Sequence, residues 1–263
     1  MNLAIAFIRR DWLRLASYRL QIVWRMLGML AFVVSIYLLG SALGSATNFP
    51  GSGPGYASFL LAGIAFTDIF MTSMQAFPGA IRDAQLAGTL EPMLLAPIRT
   101  AQLVLASSLF PILQSLLRVA LVVAVATLGF GYWTHADPLT ALIVVVPGCL
   151  VFAGLGLLSA SFVLAFKQGD PVVAGFALIS SLVGGTLFPV AAMPGWLQAL
   201  AGLLPLTHGL AGVRLALEGA GPSAVVADAV VLWVMAIAAL LVAGVAFELA
   251  LRHAKREGSL VQY

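Results

Sequence analysis

LTALIVVVPGCLVFAGLGLLSASFVLAF, residues 139–166, contains no charged side chain. A helix that crosses the hydrocarbon core of a bilayer needs about 20 consecutive apolar residues, and this run is longer. At that depth every backbone N–H and C=O must find its partner within the segment, so the run reads as a helix. Five further segments read the same way, at 23–43, 56–76, 102–131, 171–191 and 224–249. Of the 263 residues, 62% are hydrophobic and 9% are charged, and the mean hydropathy is +1.06. A soluble domain carries roughly 25% charged residues, so this chain lacks the polar side chains to face water. The expected fold is an all-α integral membrane domain over 1–263 with six transmembrane helices.

Cys149 is the lone cysteine and lies in the quoted run, which excludes an intrachain disulfide and reads as a small buried side chain. The net charge of +3 is not a nucleic-acid signature; the placement of the positive charges carries the information. Arg9, Arg10, Arg14, Arg19 and Arg25 lie at or before the start of the first span. Arg82 and Arg99 fall between spans two and three, Lys167 between four and five, and Arg252, Lys255 and Arg256 after span six. Six crossings with both termini inside place all of these on one face, which the positive-inside rule makes cytoplasmic. The outer loops at 44–55 and 132–138 carry no Lys or Arg. The basic region before span one is longer than a signal peptide's n-region, which argues against cleavage.

Residues 1–22 place Ile8, Trp12, Leu15 and Tyr18 at helical spacing, with Arg10, Arg14, Ser17 and Gln21 on the other side. That pattern suits a helix lying in the membrane interface; the alternative is a plain extension of span one. Gly40 and Gly44 form a small-xxx-small pair, a weak packing signal among 26 glycines.

GTLEPMLLAPIRT, residues 88–100, interrupts the apolar pattern on the cytoplasmic side. Gly88 can end the preceding helix, Thr89 can cap a new one, Pro92 is tolerable in a first turn and Pro97 stops the helix. Glu91 sits near the positive end of the helix dipole. Leu90, Met93 and Leu94 form an apolar face. A helix of two turns is not stable alone, so it packs either on its own bundle or in a partner's groove. A second unusual stretch, LFPVAAMPGWLQALAGLLPLTHGLAGVR at 187–214, is divided by Pro189, Pro194 and Pro205. Its two helical pieces, near 194–203 and 206–218, are each too short to span, and together they suit a re-entrant hairpin over 192–218.

These two stretches carry a resemblance to the ABC-2 type exporter permeases, a family that includes permeases for cell-surface polysaccharides, lipo-oligosaccharide nodulation signals and anthracycline drugs. Arg82, then Gly88-Thr89-Leu90-Glu91, then Leu94-Leu95 and Pro97 match the family's pattern before span three. Phe188-Pro189, Pro194-Gly195-Trp196-Leu197, and Pro205-Leu206-Thr207 before Arg214 match it before the last span. The resemblance implies that 82–99 is the coupling segment seated on an ABC ATPase subunit, through Arg82, Gly88, Thr89, Leu90, Glu91, Met93, Leu94 and Pro97. It implies that Phe188, Pro189, Pro194, Trp196, Pro205 and Arg214 belong to re-entrant helices shaping the outer exit, and that 1–22 is an interface helix that also touches the ATPase. It further implies two copies of the permease with two ATPase subunits, in the bacterial inner membrane. The sequence contains no G-x-x-x-x-G-K-[ST] phosphate loop. No cofactor is expected in this chain; ATP and Mg belong to the partner, and the chain itself is not an enzyme.

Within the spans, Asp68 and Arg118 are candidates by default, because ionisable groups at depth are costly. They suit a pair locking two spans or a contact to an anionic headgroup, and Arg118 alternatively snorkels. Phe59, Phe66, Phe70 and Phe77 recur along span two; such a stripe lines a pathway or simply packs. A proton-coupled transporter would need more deep carboxylates than Asp68 and an internal repeat. A membrane enzyme would need a cluster of His, Asp or Glu, whereas His135, His208 and His253 are scattered. The substrate class expected is amphipathic, a glycan or glycolipid first and a hydrophobic drug second.

Overall fold

In the computed structural model the described residues are 3–17, 19–46, 54–86, 100–166 and 171–256. They form nine α-helices, one short 3₁₀ turn and no strand. The helices are α1 (Leu3–Ser17), α2 (Arg19–Ala46), α3 (Pro54–Leu86), α4 (Thr100–Phe130), α5 (Pro138–Phe166), α6 (Pro171–Val183), α7 (Gly195–Ala201), α8 (Pro205–Leu217) and α9 (Pro222–Arg256). Five of the six apolar segments fall on helices, and the remaining one, 171–191, is helical as far as Val183. Four helices, covering Gly55–Ala84, Leu105–Phe130, Pro138–Ala165 and Pro222–His253, are long and apolar enough to cross a membrane; counting the bent pair α7–α8 as one span makes five.

The fifth expected span is not one continuous helix. α6 has 13 residues, about 20 Å at 1.5 Å per residue against a core of roughly 30 Å. It ends where Gly184 and Gly185 follow, Gly185 at φ +79°, a conformation that side-chain-bearing residues rarely adopt. The chain then bends through 184–188 to the 3₁₀ turn Val190–Ala192. Pro194 holds the N-cap position of α7 and Pro205 the first turn of α8, where a missing N–H costs nothing. The two helices meet at 87°.

α3 and α5 form the centre. The apolar part of α3 is 61% buried and that of α5 50%, against 22% for α4 and for α9. The outer helices leave rows such as Val230, Val234, Ile237 and Leu241 uncovered, a surface suited to lipid.

Small residues set the close contacts. Phe70 stacks on Phe152 at 5.1 Å and is flanked by Gly148 of α5 and Gly209 of α8, where any Cβ would meet its ring. Pro78 lies inside α3 and has no N–H to give the Met74 carbonyl one turn back. Gly156 of α5 passes against that carbonyl, too close for a side chain. Gly40 of α2 sits on Ala57 of α3, and Gly154 of α5 on Ala239 of α9, the small-residue packing usual in lipid, where backbones must approach closely to gain contact.

Candidate functional site

Of the anticipated coupling residues, Gly88, Thr89, Leu90, Glu91, Met93, Leu94 and Pro97 lie outside the described residues. Arg82 is exposed near the last turn of α3. Close by, α1 packs on α4, and α1, α3 and α4 enclose a cavity of about 650 Å³. Its lining mixes Arg10, Asp11, Gln75 and Asp83 with Phe7 and Phe110. Arg10 pairs with Asp11 at 2.8 Å, and its guanidinium lies 4.4 Å from the centre of the Phe7 ring.

Asp68 on α3 and Arg118 on α4 meet. Arg118 donates from Nε at 3.1 Å and from Nη2 at 2.9 Å to the same Asp68 oxygen, and Nη2 also reaches Thr72 Oγ1 at 3.2 Å. Thr72 stands one turn after Asp68, so α3 presents both acceptors on one face. The pair opens into a cavity of about 310 Å³ whose other walls are Met29, Phe32 and Val33 of α2, Leu61, Ile64 and Ala65 of α3, and Val119 and Val122 of α4. Asp68 keeps 46% and Arg118 33% of its side-chain surface exposed. The two charges are therefore paired yet reachable, in surroundings that are otherwise apolar. Thr72, which accepts from Arg118, lines the larger cavity.

At the opposite end of α3, Arg214 of α8 gathers three carbonyls. Nη2 donates to Gly185 at 2.9 Å, Thr186 at 3.3 Å and Phe59 at 3.4 Å. Its guanidinium also stacks 3.5 Å from the centre of the Phe59 ring. The first two carbonyls lie in the bend that follows α6, where no helix pairs them, and the guanidinium supplies their donor. Gly63 makes room, since a Cβ there would collide with Thr186 O and with Arg214 Nη2. Thr67 and Thr186 share a hydroxyl bond at 3.1 Å, and Tyr56 donates to the Leu187 carbonyl at 3.2 Å. Arg214, Glu218, Tyr56, Phe59, Trp133 and Pro189 line a cavity of about 210 Å³ here. Trp133 holds φ +55°, uncommon for a bulky residue and kept only where its surroundings dictate it. Phe188 and Trp196 are exposed. Phe66, Phe70 and Phe77 are buried in the core, whereas Phe59 lines this cavity.

Sequence reasoning left His208 and Asp228 without roles. The structure joins them: His208 Nδ1 lies 2.7 Å from an Asp228 oxygen and Nε2 lies 3.0 Å from the Gly202 carbonyl. No local pattern announces this contact, because α8 and α9 meet only in the folded bundle.

Long apolar helices that leave their outer faces uncovered, with an ion pair set between two of them beside an apolar cavity, define an integral membrane protein. Comparison with known proteins gives its kind. The family described as ABC-2 type transporter matches residues 2–217, and this chain belongs to it. The chain is similar to nodulation protein J of Bradyrhizobium diazoefficiens, with 28% identity over 216 residues and 78% of each chain covered. Against nodulation protein J of Sinorhizobium fredii the identity is 26% over 216 residues, covering 81% of this chain and 80% of the relative. Against that of Neorhizobium galegae it is 30% over 197 residues, covering 71% of each. The resemblance read from the two motif stretches is therefore shown.

Proposed function

We propose that this chain is the transmembrane subunit of an ATP-driven exporter that moves an amphipathic substrate (a glycan, a lipid-linked saccharide or a lipid) outward across the bacterial inner membrane. The observation that carries the reading is the cavity beside Asp68 and Arg118: apolar walls accept an acyl or isoprenoid portion, and one reachable ion pair accepts a polar head. The aromatic, charge-balanced cavity around Arg214 and Glu218 favours a hydroxyl-bearing head over a purely hydrophobic drug. The likeness to nodulation protein J supports the same class.

In this reading six crossings put both termini in the cytoplasm, with α6 and the chain that follows it as the fifth crossing and α7–α8 as a re-entrant pair at the outer exit. α1 lies in the inner interface. Two copies pair with two ATPase subunits, which hold ATP and Mg and hydrolyse the nucleotide. Closure of the ATPases pushes on 82–99 and, through α3 and α4, shifts the bundle between inward and outward states. α3 suits this lever role, running from Arg82 past Asp68 to the Gly63–Arg214 contact as one helix.

The test is co-purification from mildly solubilised membranes of wild type and of a Glu91→Arg, Leu94→Asp variant. An ATPase that accompanies wild type and is lost from the variant is the expected result. Absence of an ATPase from wild type overturns the reading and directs attention to proton coupling at Asp68.

A further inference from the structure

We propose that His208 is a protonation-dependent latch that holds the bent pair α7–α8 against α9. Both neighbours of the ring are acceptors. Asp228, ionised, can only accept, and so can the Gly202 carbonyl. The contacts measure 2.7 Å and 3.0 Å. A ring that carries hydrogens on both nitrogens donates to both. A neutral ring has one N–H, so one of the two contacts loses its hydrogen, and the nitrogen lone pair then faces an oxygen lone pair.

The position gives this consequence. Gly202 closes α7 and lies in the turn before α8; its own N–H bonds back to Gln198. His208 stands one turn into α8, and Asp228 stands near the start of α9. One imidazole thus ties together the end of α7, the body of α8 and the last long helix. The other side of α8 is held by apolar packing, with Gly212 against Val144 of α5 and Gly209 against Phe70 of α3. Among the described residues Asp228 is the charged group that reaches the ring, from α9. Arg214, on the same helix, is committed to the Gly185, Thr186 and Phe59 carbonyls.

His208 and Asp228 are each about four-fifths covered yet not sealed, so the ring exchanges protons with its surroundings. Protonation closes the latch. Deprotonation frees α7 to swing about the α7–α8 bend, where the backbone is already turned by 87°. The latch does not depend on which molecule is exported or which ATPase is bound. With the orientation proposed above, it answers to the pH outside the inner membrane.

The experiment uses the full chain in lipid nanodiscs, with Cys149 replaced by alanine and spin labels on cysteines placed at Leu203 and Val226, both exposed. Electron–electron distance measurements are made from about pH 5.5 to about pH 8, the range over which histidine ordinarily exchanges its second proton. Wild type is expected to show one narrow distance population at the acid end and a broadened, longer one at the alkaline end. His208→Gln is expected to give the broad distribution at every pH. Asp228→Asn, whose amide NH2 donates to a neutral Nδ1 while Nε2–H keeps the Gly202 carbonyl, is expected to hold the narrow population at every pH. A wild-type distribution that does not change with pH overturns the latch, and so does a pH response preserved in His208→Gln. Should His208→Gln fail to fold, Asp228→Asn decides: a pH response like that of wild type overturns the proposal. None of these readouts involves an ATPase, so failure of the exporter reading is seen separately, in the co-purification.

Discussion

Gly63 lies under the guanidinium of Arg214, and a single methyl on its Cα would meet both Nη2 and the Thr186 carbonyl oxygen. Thr186 is fixed in the turn that ends α6, so the carbonyl cannot retreat without disturbing that turn. Gly63→Ala is therefore expected to destabilise by about 1–3 kcal/mol, the usual cost of overpacking. Arg214→Lys should also destabilise, because an ammonium cannot stack on Phe59 while reaching the same carbonyls. Thermal melts of both variants in detergent check this; a melting temperature equal to wild type for Gly63→Ala would show that the contact is loose.

The Asp68–Arg118 pair predicts non-additivity. Arg118→Gln leaves a carboxylate without its cation in apolar surroundings, and Asp68→Asn leaves an unmatched guanidinium. The double variant carries neither charge. A double-mutant cycle on unfolding is expected to return a coupling of about 1–2 kcal/mol, with the double variant more stable than the summed losses of the two singles imply. Substrate export should fall in all three, since the pair also receives the polar head in the proposed mechanism. A stable, inactive double variant would separate the two roles; full export by that variant would remove the pair from the pathway.

Two glycines should behave in opposite ways. Gly156 faces the Met74 carbonyl that Pro78 leaves without a helical partner, and Gly156→Val would force α5 away from α3. The expected outcome is loss of folded protein, read as the monodisperse fraction after solubilisation. Gly175 on α6 is exposed with no atom in reach of an added Cβ. Gly175→Ala should be neutral or stabilising by about 0.5–1 kcal/mol, since alanine loses less backbone freedom in a helix.

Asp137 supplies a pH-dependent cap to α5. One carboxylate oxygen accepts from Thr140 Oγ1 at 2.5 Å and the other from the Leu139 N–H at 3.0 Å. The Thr140 hydroxyl bond, followed by the backbone N–H groups of Thr140 and Leu139, holds the carboxyl below the ordinary aspartate range. A depressed carboxylate contributes stability above its unfolded-state titration, and this is lost as pH falls through the folded-state value. Asp137→Ala should therefore melt lower than wild type at neutral pH, with the gap closing as the solution is taken below about pH 4, the unperturbed aspartate value. A gap that stays constant down to acid pH would assign the loss to packing instead.

Which of these contacts could be read without the structure follows from their range. Helix existence is local: apolar length and the lack of charge fixed α3, α4, α5 and α9, and Pro194 and Pro205 marked the starts of α7 and α8 within a residue or so. The break after Val183 had a local signal as well, Gly184-Gly185, but the surrounding run stayed apolar and read as one span to 191. Sequence placed Asp68 and Arg118 at depth and offered pairing as one of several fates. The choice among them required the register of α3 against α4, which small residues and side-chain shape set only when the helices meet. The same holds for Arg214 beneath the broken end of α6, and for His208 between Gly202 and Asp228. Hydropathy measures each segment's transfer from water to lipid, one residue at a time. Partners for buried polar groups are chosen afterwards, between segments, and in this chain that choice belongs to the tertiary structure.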